Sequence, residues 1–152
     1  MVRVGEHAPE FTLLDQHGEP VSLSGLRGRK ALVYFYPKAD TPGCTAQSCG
    51  LRDIADQVGD TAIIGISPDV PEDQLRFDEK YHLGFPLLAD TDHRVADTYD
   101  VWGEVELADG RTFTGVKRSA FLIDEEGRVV EAWYNITPAD TPRNLLTALG
   151  RA

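Results

Sequence analysis

The chain has 152 residues, 41% of them hydrophobic and 26% charged, with a net charge of −10 at pH 7; this is enough to bury one core and predicts a single domain over 1–152. The acidity is spread along the chain and argues against sequence-independent binding to nucleic acid, which draws on clustered Lys and Arg. The longest apolar run, about six residues, is far short of the ~20 that span a membrane, and Met1-Val2-Arg3-Val4-Gly5-Glu6 has no basic stretch leading into an apolar one, so a cytosolic protein without a membrane partner is expected.

In chain order, Glu10 to Leu14 and Pro20 to Leu23 read as short strands around the turn Asp15-Gln16-His17-Gly18, an N-terminal β-hairpin. Residues 31–36, Ala-Leu-Val-Tyr-Phe-Tyr, have the unbroken apolar and β-branched pattern of a central strand buried on both faces, which Pro37 ends. From Cys44 to Val58 the spacing is helical, with Leu51, Ile54, Ala55 and Val58 as the apolar stripe and Gly59 as a stop. Thr61 to Ser67 is a second buried strand. Asp69 and Pro71 open a helix running from Glu72 to His82, with Leu75, Phe77 and Tyr81 along it. Phe85 to Asp90 reads as a short third strand, placed at an edge by Pro86, and Thr91 to Tyr99 as a helix. Glu104 to Gly115 holds the turn Ala108-Asp109-Gly110 and predicts a hairpin or a long loop. Arg118 to Asp124 and Arg128 to Tyr134 read as strands around Glu125-Glu126-Gly127, and Thr141 to Leu149 as a closing helix with Pro142 in its first turn. This alternation predicts an α/β fold, a central mixed β-sheet flanked by helices.

The two cysteines, Cys44 and Cys49, both follow the central strand, in Pro37-Lys38-Ala39-Asp40-Thr41-Pro42-Gly43-Cys44-Thr45-Ala46-Gln47-Ser48-Cys49. In a cytosolic chain they are held reduced. There is no Cys-x-x-Cys, the four histidines (His7, His17, His82, His93) are scattered, and two thiolates do not fill a zinc site, so neither metal nor cofactor is expected. Cys44 falls in the opening turn of a helix, where free backbone N–H groups and the helix dipole favour negative charge. Thr41 lies three residues back, and no acidic side chain intervenes before Arg52. A guanidinium from elsewhere in the fold would complete a reactive-thiol site; spacing alone does not say which arginine supplies it. The bland alternative is that Cys44 is a small apolar core residue.

The spacing of the second cysteine poses a geometric problem. On a regular helix, residues five apart are rotated by about 140° and rise about 7.5 Å, so their Cα atoms are ~8–9 Å apart. A disulfide needs about 4.4–6.8 Å. If a Cys44–Cys49 bond forms, the first turns of the helix must unwind. Gly50 weakens the helix there by about 1 kcal/mol relative to Ala.

The run Pro37-x-x-x-Thr41-x-x-Cys44 resembles the active-site motif of peroxiredoxins. The wider run Tyr34-Phe35-Tyr36-Pro37-Lys38-x-x-Thr41-Pro42-Gly43-Cys44-Thr45-x-x-x-Cys49 is similar to the bacterioferritin comigratory protein, or peroxiredoxin Q, subfamily. The likeness continues through Val101-Trp102-Gly103-Glu104 and Gly115-Val116-x-Arg118-Ser119-x-Phe121-Leu122-Ile123-Asp124, and covers almost the whole chain from Gly5-x-x-Ala8-Pro9-x-Phe11 onward. The resemblance implies a thioredoxin-like fold and a monomeric, atypical 2-Cys thiol peroxidase acting on hydrogen peroxide and organic hydroperoxides in antioxidant defence. It implies Cys44 as the peroxidatic cysteine, oxidised to a sulfenic acid, and Cys49 as the resolving cysteine. Thr41 would hold the peroxide, Arg118 would supply the missing charge, Pro37 would shield the site from water, and thioredoxin or a similar dithiol would recycle the disulfide.

The chain departs from the subfamily pattern at Gln47, where Glu is frequent, and at Ala120, where Thr is usual; both changes are expected to be mild. Taken singly, Thr41 reads equally as a helix N-cap, Pro37 as a strand terminator and Arg118 as a surface charge on a strand edge. Trp102 and Tyr99 read as packing and His93 as a solvated helix residue. Two rivals remain on this reading. One is a peroxide-sensing or chaperone-like redox protein of the same fold; the other is a disulfide reductase, against which the Cys-x4-Cys spacing speaks.

Overall fold

The fold is that of a computed structural model, which describes residues 2–107 and 109–150. Strands β1 (Thr12–Leu14) and β2 (Pro20–Ser22) form the N-terminal hairpin. Its turn is closed by the Asp15 carboxylate, which accepts from the amides of His17 (2.8 Å) and Glu19 (3.0 Å), an Asx turn of the kind a lone Asp can build. There follow β3 (Ala31–Phe35), α1 (Pro42–Asp53), β4 (Ala62–Ser67), α2 (Pro71–Tyr81), β5 (Leu87–Ala89), α3 (Arg94–Thr98), β6 (Trp102–Glu106), β7 (Thr112–Val116), β8 (Ser119–Ile123), β9 (Val129–Trp133) and α4 (Asp140–Ala148).

Among the described residues, seven strands form one sheet in the order β2-β1-β5-β4-β3-β8-β9, while β6 and β7 make a separate hairpin. The β3/β4 and β4/β5 pairs are parallel, joined by α1 and α2 as crossovers; the others are antiparallel. β3 is buried throughout, and its side chains alternate between two cores, as the period of two in a strand requires. Ala31, Val33 and Phe35 face a cluster with Phe11, Leu88, Tyr99 and Phe121. Leu32, Tyr34 and Tyr36 face the other, with Cys44 and Leu51 of α1, Phe77 of α2 and Leu145 of α4. The outer strands are β2, three residues opening on Pro20, and β9, whose pairing with β8 slips in register between Leu122 and Ile123.

Four expectations from sequence are corrected. β5 is not an edge: it lies between β4 and β1, because Pro86 falls just before the strand and contributes a carbonyl, which accepts from Gly65 N at 3.0 Å. The helix expected over Cys44 to Val58 begins at Pro42 and leaves α geometry at Ile54, with a 3-10 turn over Ala55–Gln57; Leu51 and Val58 are buried, but Ala55 is exposed. The helix expected from Thr91 starts at Arg94, since the buried Asp90 carboxylate takes the amides of Val95 (3.1 Å) and Ala96 (2.9 Å) and caps the turn there. His93 stands at the N-cap of that helix, not within it, in the left-handed region (φ 50°); it stacks on Trp102, ring centroids 3.9 Å apart, with 39% of its side chain still exposed. The span from Glu104 to Gly115 resolves as the β6–β7 hairpin; of its expected turn, Ala108 lies outside the described residues.

Gly65 of β4 marks where the sheet leaves no space. A Cβ there would lie 2.9 Å from the Tyr34 ring and 3.0 Å from Leu87. Gly65→Ala is expected to destabilise the fold by about 1–3 kcal/mol through overpacking, measured as a lower midpoint in urea denaturation.

Candidate active site

β3 delivers the chain to Pro37, and the loop that follows is pinned at three points before α1 begins. The Asp69 carboxylate accepts from Ala39 N (2.8 Å) and from the Ser67 hydroxyl (2.6 Å). Asp40, in the left-handed region (φ 60°) that Asp tolerates better than most residues, accepts from Lys80 Nζ (2.8 Å) and the Tyr81 hydroxyl (2.6 Å). The Lys80 hydrogen bond, seconded by Tyr81, holds the Asp40 carboxyl below its ordinary value. Thr41 donates its hydroxyl proton to the Lys38 carbonyl at 2.7 Å. It is the N-cap residue by backbone, and its side chain makes no capping hydrogen bond to the helix. Its oxygen is thereby left as an acceptor.

With Thr41 as N-cap and Pro42 as the first helical residue, Cys44 is in the first turn, among the amides that have no carbonyl partner within the helix. Its side chain is buried. Arg118 reaches it from the junction between β7 and β8, with Nη1 and Nη2 each 3.5 Å from Sγ. The sulfur thus faces a guanidinium fork, a fixed positive charge suited to a thiolate. The same Nη1 donates to Gln47 Oε1 at 2.7 Å, one helical turn beyond Cys44. Arg118 is half-buried and precedes an internal strand, so its reading as a surface charge on a sheet edge is corrected.

Gly43 makes this approach possible. A Cβ at Gly43 would lie 2.9 Å from Arg118 Nη2 and 3.4 Å from Pro138. Below the helix, the Tyr34 hydroxyl and Ser48 Oγ are 2.8 Å apart, both buried, and burial pushes the Tyr34 phenol well above its ordinary range. Cys49 lies on the same continuous helix, half-buried, and both thiols are free. Ala120 is in the core and pairs with Tyr34 across β3 and β8.

Of the five residues singled out from sequence, Pro37, Thr41, Cys44 and Arg118 lie at or beside the start of α1, and Cys49 lies farther along the same helix, five residues beyond Cys44. A cleft of about 410 Å³ includes Pro37 and Arg118 in its lining, with Val105, Leu107, Phe113 and Ile136 beside the charged Glu104, Glu106 and Lys117. A larger cleft of about 470 Å³, lined by Lys38, Asp40, Asp69, Arg76 and Lys80, does not include Arg118, and Cys44 lines neither cleft. The sequence reading missed the Asp40–Lys80–Tyr81 anchor, the Tyr34–Ser48 pair and the buried partner of Gln47 described below. Only Gly43 carried a local signal, as a residue that admits close approach beside a reactive side chain. Among the described residues, no group of three or more His, Cys, Asp or Glu is placed to hold a metal ion.

The crowding at Gly43 is relieved by moving the end of a flexible side chain, not the backbone. Gly43→Ala is therefore expected to keep its thermal midpoint within a few degrees while displacing the guanidinium from Sγ. Alkylation of Cys44 by iodoacetamide at neutral pH should slow by about tenfold, for the loss of one charge-assisted contact.

Residues 4–132 match the AhpC/TSA family model. Peroxiredoxin Bcp of Escherichia coli K12 is 48% identical over 130 residues, covering 84% of this chain and 83% of that protein. Among solved structures, peroxidoxin BcpB of Mycobacterium tuberculosis superposes with a TM-score of 0.87 at 31% identity, covering 99% of this chain and 97% of the other. Bacterioferritin comigratory protein of Xanthomonas campestris, described for its alkyl peroxide reduction activity, superposes with a TM-score of 0.86 at 28% identity over 99% and 96%. The chain therefore has a thioredoxin-like peroxiredoxin fold and belongs to the AhpC/TSA family, among the Bcp, or peroxiredoxin Q, peroxiredoxins.

Proposed function

We propose that this peroxiredoxin reduces hydrogen peroxide and organic hydroperoxides at Cys44, is resolved by Cys49 and is recycled by thioredoxin or a similar dithiol. The observation that carries the reading is the Arg118 guanidinium at 3.5 Å from Cys44 Sγ in the first turn of α1. The Cys44 thiolate attacks the terminal oxygen of the peroxide. An S–O bond forms and the O–O bond breaks; its electron pair leaves on the second oxygen, which takes up a proton to become water or an alcohol, and Cys44 becomes a sulfenic acid. Charge moves along the breaking bond towards Arg118, whose N–H groups are fixed where it develops. Thr41 Oγ1, its own proton committed to Lys38, accepts from the peroxide O–H and orients the terminal oxygen towards sulfur. Pro37, half-buried at the lip, keeps water from the same face.

The second step condenses the sulfenic acid with the Cys49 thiol, releasing water and forming a disulfide. Both cysteines stand on one helix five residues apart, so this step unwinds the start of α1. A dithiol then reduces the bond by exchange through a mixed disulfide. We assign the chain, residues 1–152, to one thioredoxin-like unit that works as a monomer in the cytosol, where dithiol reductants hold both thiols reduced. The cleft beside Pro37 and Arg118 gives an alkyl tail an apolar path on the hairpin side, where Leu107 and Phe113 are 40% and 38% exposed.

Cys44→Ser is expected to abolish peroxide consumption in a thioredoxin-coupled assay; retained turnover would sink the mechanism. Cys49→Ser should consume one equivalent of peroxide and then stall, and peptide mass spectrometry of the wild type under non-reducing conditions should find the Cys44–Cys49 link. Steady turnover, as opposed to a single stoichiometric oxidation, also separates a peroxidase from a sensor. For the cleft, Phe113→Ser should lower kcat/KM for cumene hydroperoxide by roughly tenfold relative to hydrogen peroxide, the scale of one lost apolar contact. An equal change for both substrates would remove the cleft from substrate recognition.

A further inference from the structure

Gln47 is buried on α1, and its amide is used at both ends. Oε1 accepts from Arg118 Nη1 at 2.7 Å, and Nε2 donates to Thr141 Oγ1 of α4 at 2.8 Å. Both Gln47 and Thr141 are fully buried. An amide can turn over and exchange its oxygen and nitrogen, but a guanidinium has only donors, so Oε1 must face Arg118. That orientation sends the NH₂ group towards α4, where it needs an acceptor in a place closed to water. The Thr141 hydroxyl is that acceptor. A neighbouring contact fixes it: a Cβ on Gly50, on the same face of α1 one turn after Gln47, would lie 3.1 Å from Pro142. The first turn of α4 is thus seated directly on α1 at Gln47 and Gly50.

We propose that Thr141 is a positioning residue for the thiol site: by accepting from the Gln47 amide it holds Oε1 towards Arg118, and so holds the guanidinium on Cys44. The proposal rests on the reading of Arg118 given above. It also explains how a neutral Gln serves at this position. A carboxylate there would hold the guanidinium by a charge-assisted hydrogen bond through either oxygen and offset part of its positive charge; the amide accepts through one oxygen only, leaves that charge to the sulfur and the peroxide, and depends on Thr141 for its direction. Unwinding of α1 between Cys44 and Cys49 moves Gln47 off Thr141 and Arg118 together, so the grip on the thiolate is released in the same event that admits Cys49.

The test compares Thr141→Val, which keeps the shape and removes the hydroxyl, with Thr141→Ser, which restores it. Single-turnover reaction with hydrogen peroxide should slow by about tenfold in Thr141→Val, the worth of one buried hydrogen bond, and return to within about twofold of wild type in Thr141→Ser. The later first-order step, disulfide formation by Cys49, should be unchanged or faster in Thr141→Val, because α1 has lost a tie to α4. A residue that served only the fold would give no rescue by Ser and no split between the two steps. Gln47→Glu supplies the control: in that background, which holds Arg118 by charge, adding Thr141→Val should change the peroxide step by less than about twofold, below the tenfold expected for the lost bond. An unchanged peroxide rate in Thr141→Val, or the same loss in both backgrounds, overturns the proposal. Failure of the wild type to consume peroxide would overturn the assigned function instead; the alkylation rate of Cys44 would then still report whether Thr141 acts through Arg118.

Discussion

The contact between Cys44 and Arg118 depends on three stretches of chain arriving together. β3 must end at Pro37 so that α1 begins above the sheet; β8 must lie beside β3 so that the residue before it reaches the helix start; α4 must close over α1 to fix the amide between them. Each requirement is met by sheet order. β3 is flanked by β4 and β8, and the side of the sheet carrying Leu32, Tyr34 and Tyr36 receives α1 and α4 together. The thiol is held by the core of the protein, not by a surface loop, which is why its environment is dry and its neighbours are few and fixed.

A buried thiol and the proposed disulfide to a cysteine five residues on make opposing demands on α1. The wound helix buries Cys44, Gln47, Ser48 and Leu51. Opening its first turns gives up the Tyr34–Ser48, Gln47–Thr141 and Gln47–Arg118 hydrogen bonds, the Arg118 contact to Cys44 and part of that burial. The proposed resolution step needs the helix to open locally while the sheet stays intact. Gly50 serves both demands. It lowers the helical preference of the turn, and its missing side chain makes room for Pro142 while the helix is wound.

Much of this was legible in the sequence. Strand β3, the helix after it and the two cysteines carry strong local patterns, and the family resemblance brought in Arg118 from 74 positions away. What escaped was whatever joined distant residues by polar contact. Thr141 lies 94 positions from Gln47, and nothing in its own neighbourhood marks it as more than a residue in a helix's first turn. Asp40 and Tyr81 are likewise separated by 41 positions. Pro86 misled the reading of β5 because a proline ahead of a strand and one inside it look alike in sequence, whereas only the second removes a ladder donor. The helix over Thr91 to Tyr99 was set too early because Asp90, whose carboxylate caps it, was read as the end of the preceding strand.

The outer strands carry a consequence for a chain whose first helix opens. Loosening α1 lays bare part of an apolar sheet face, and in many proteins that is the moment at which molecules join edge to edge. Here β2 offers three residues and begins at a proline, and β9 is out of register with its neighbour at one point. Short, broken edges are poor templates for adding another strand. On the proposed cycle, these margins of the sheet, far from the sulfur, would offer little purchase to a second strand each time α1 opens.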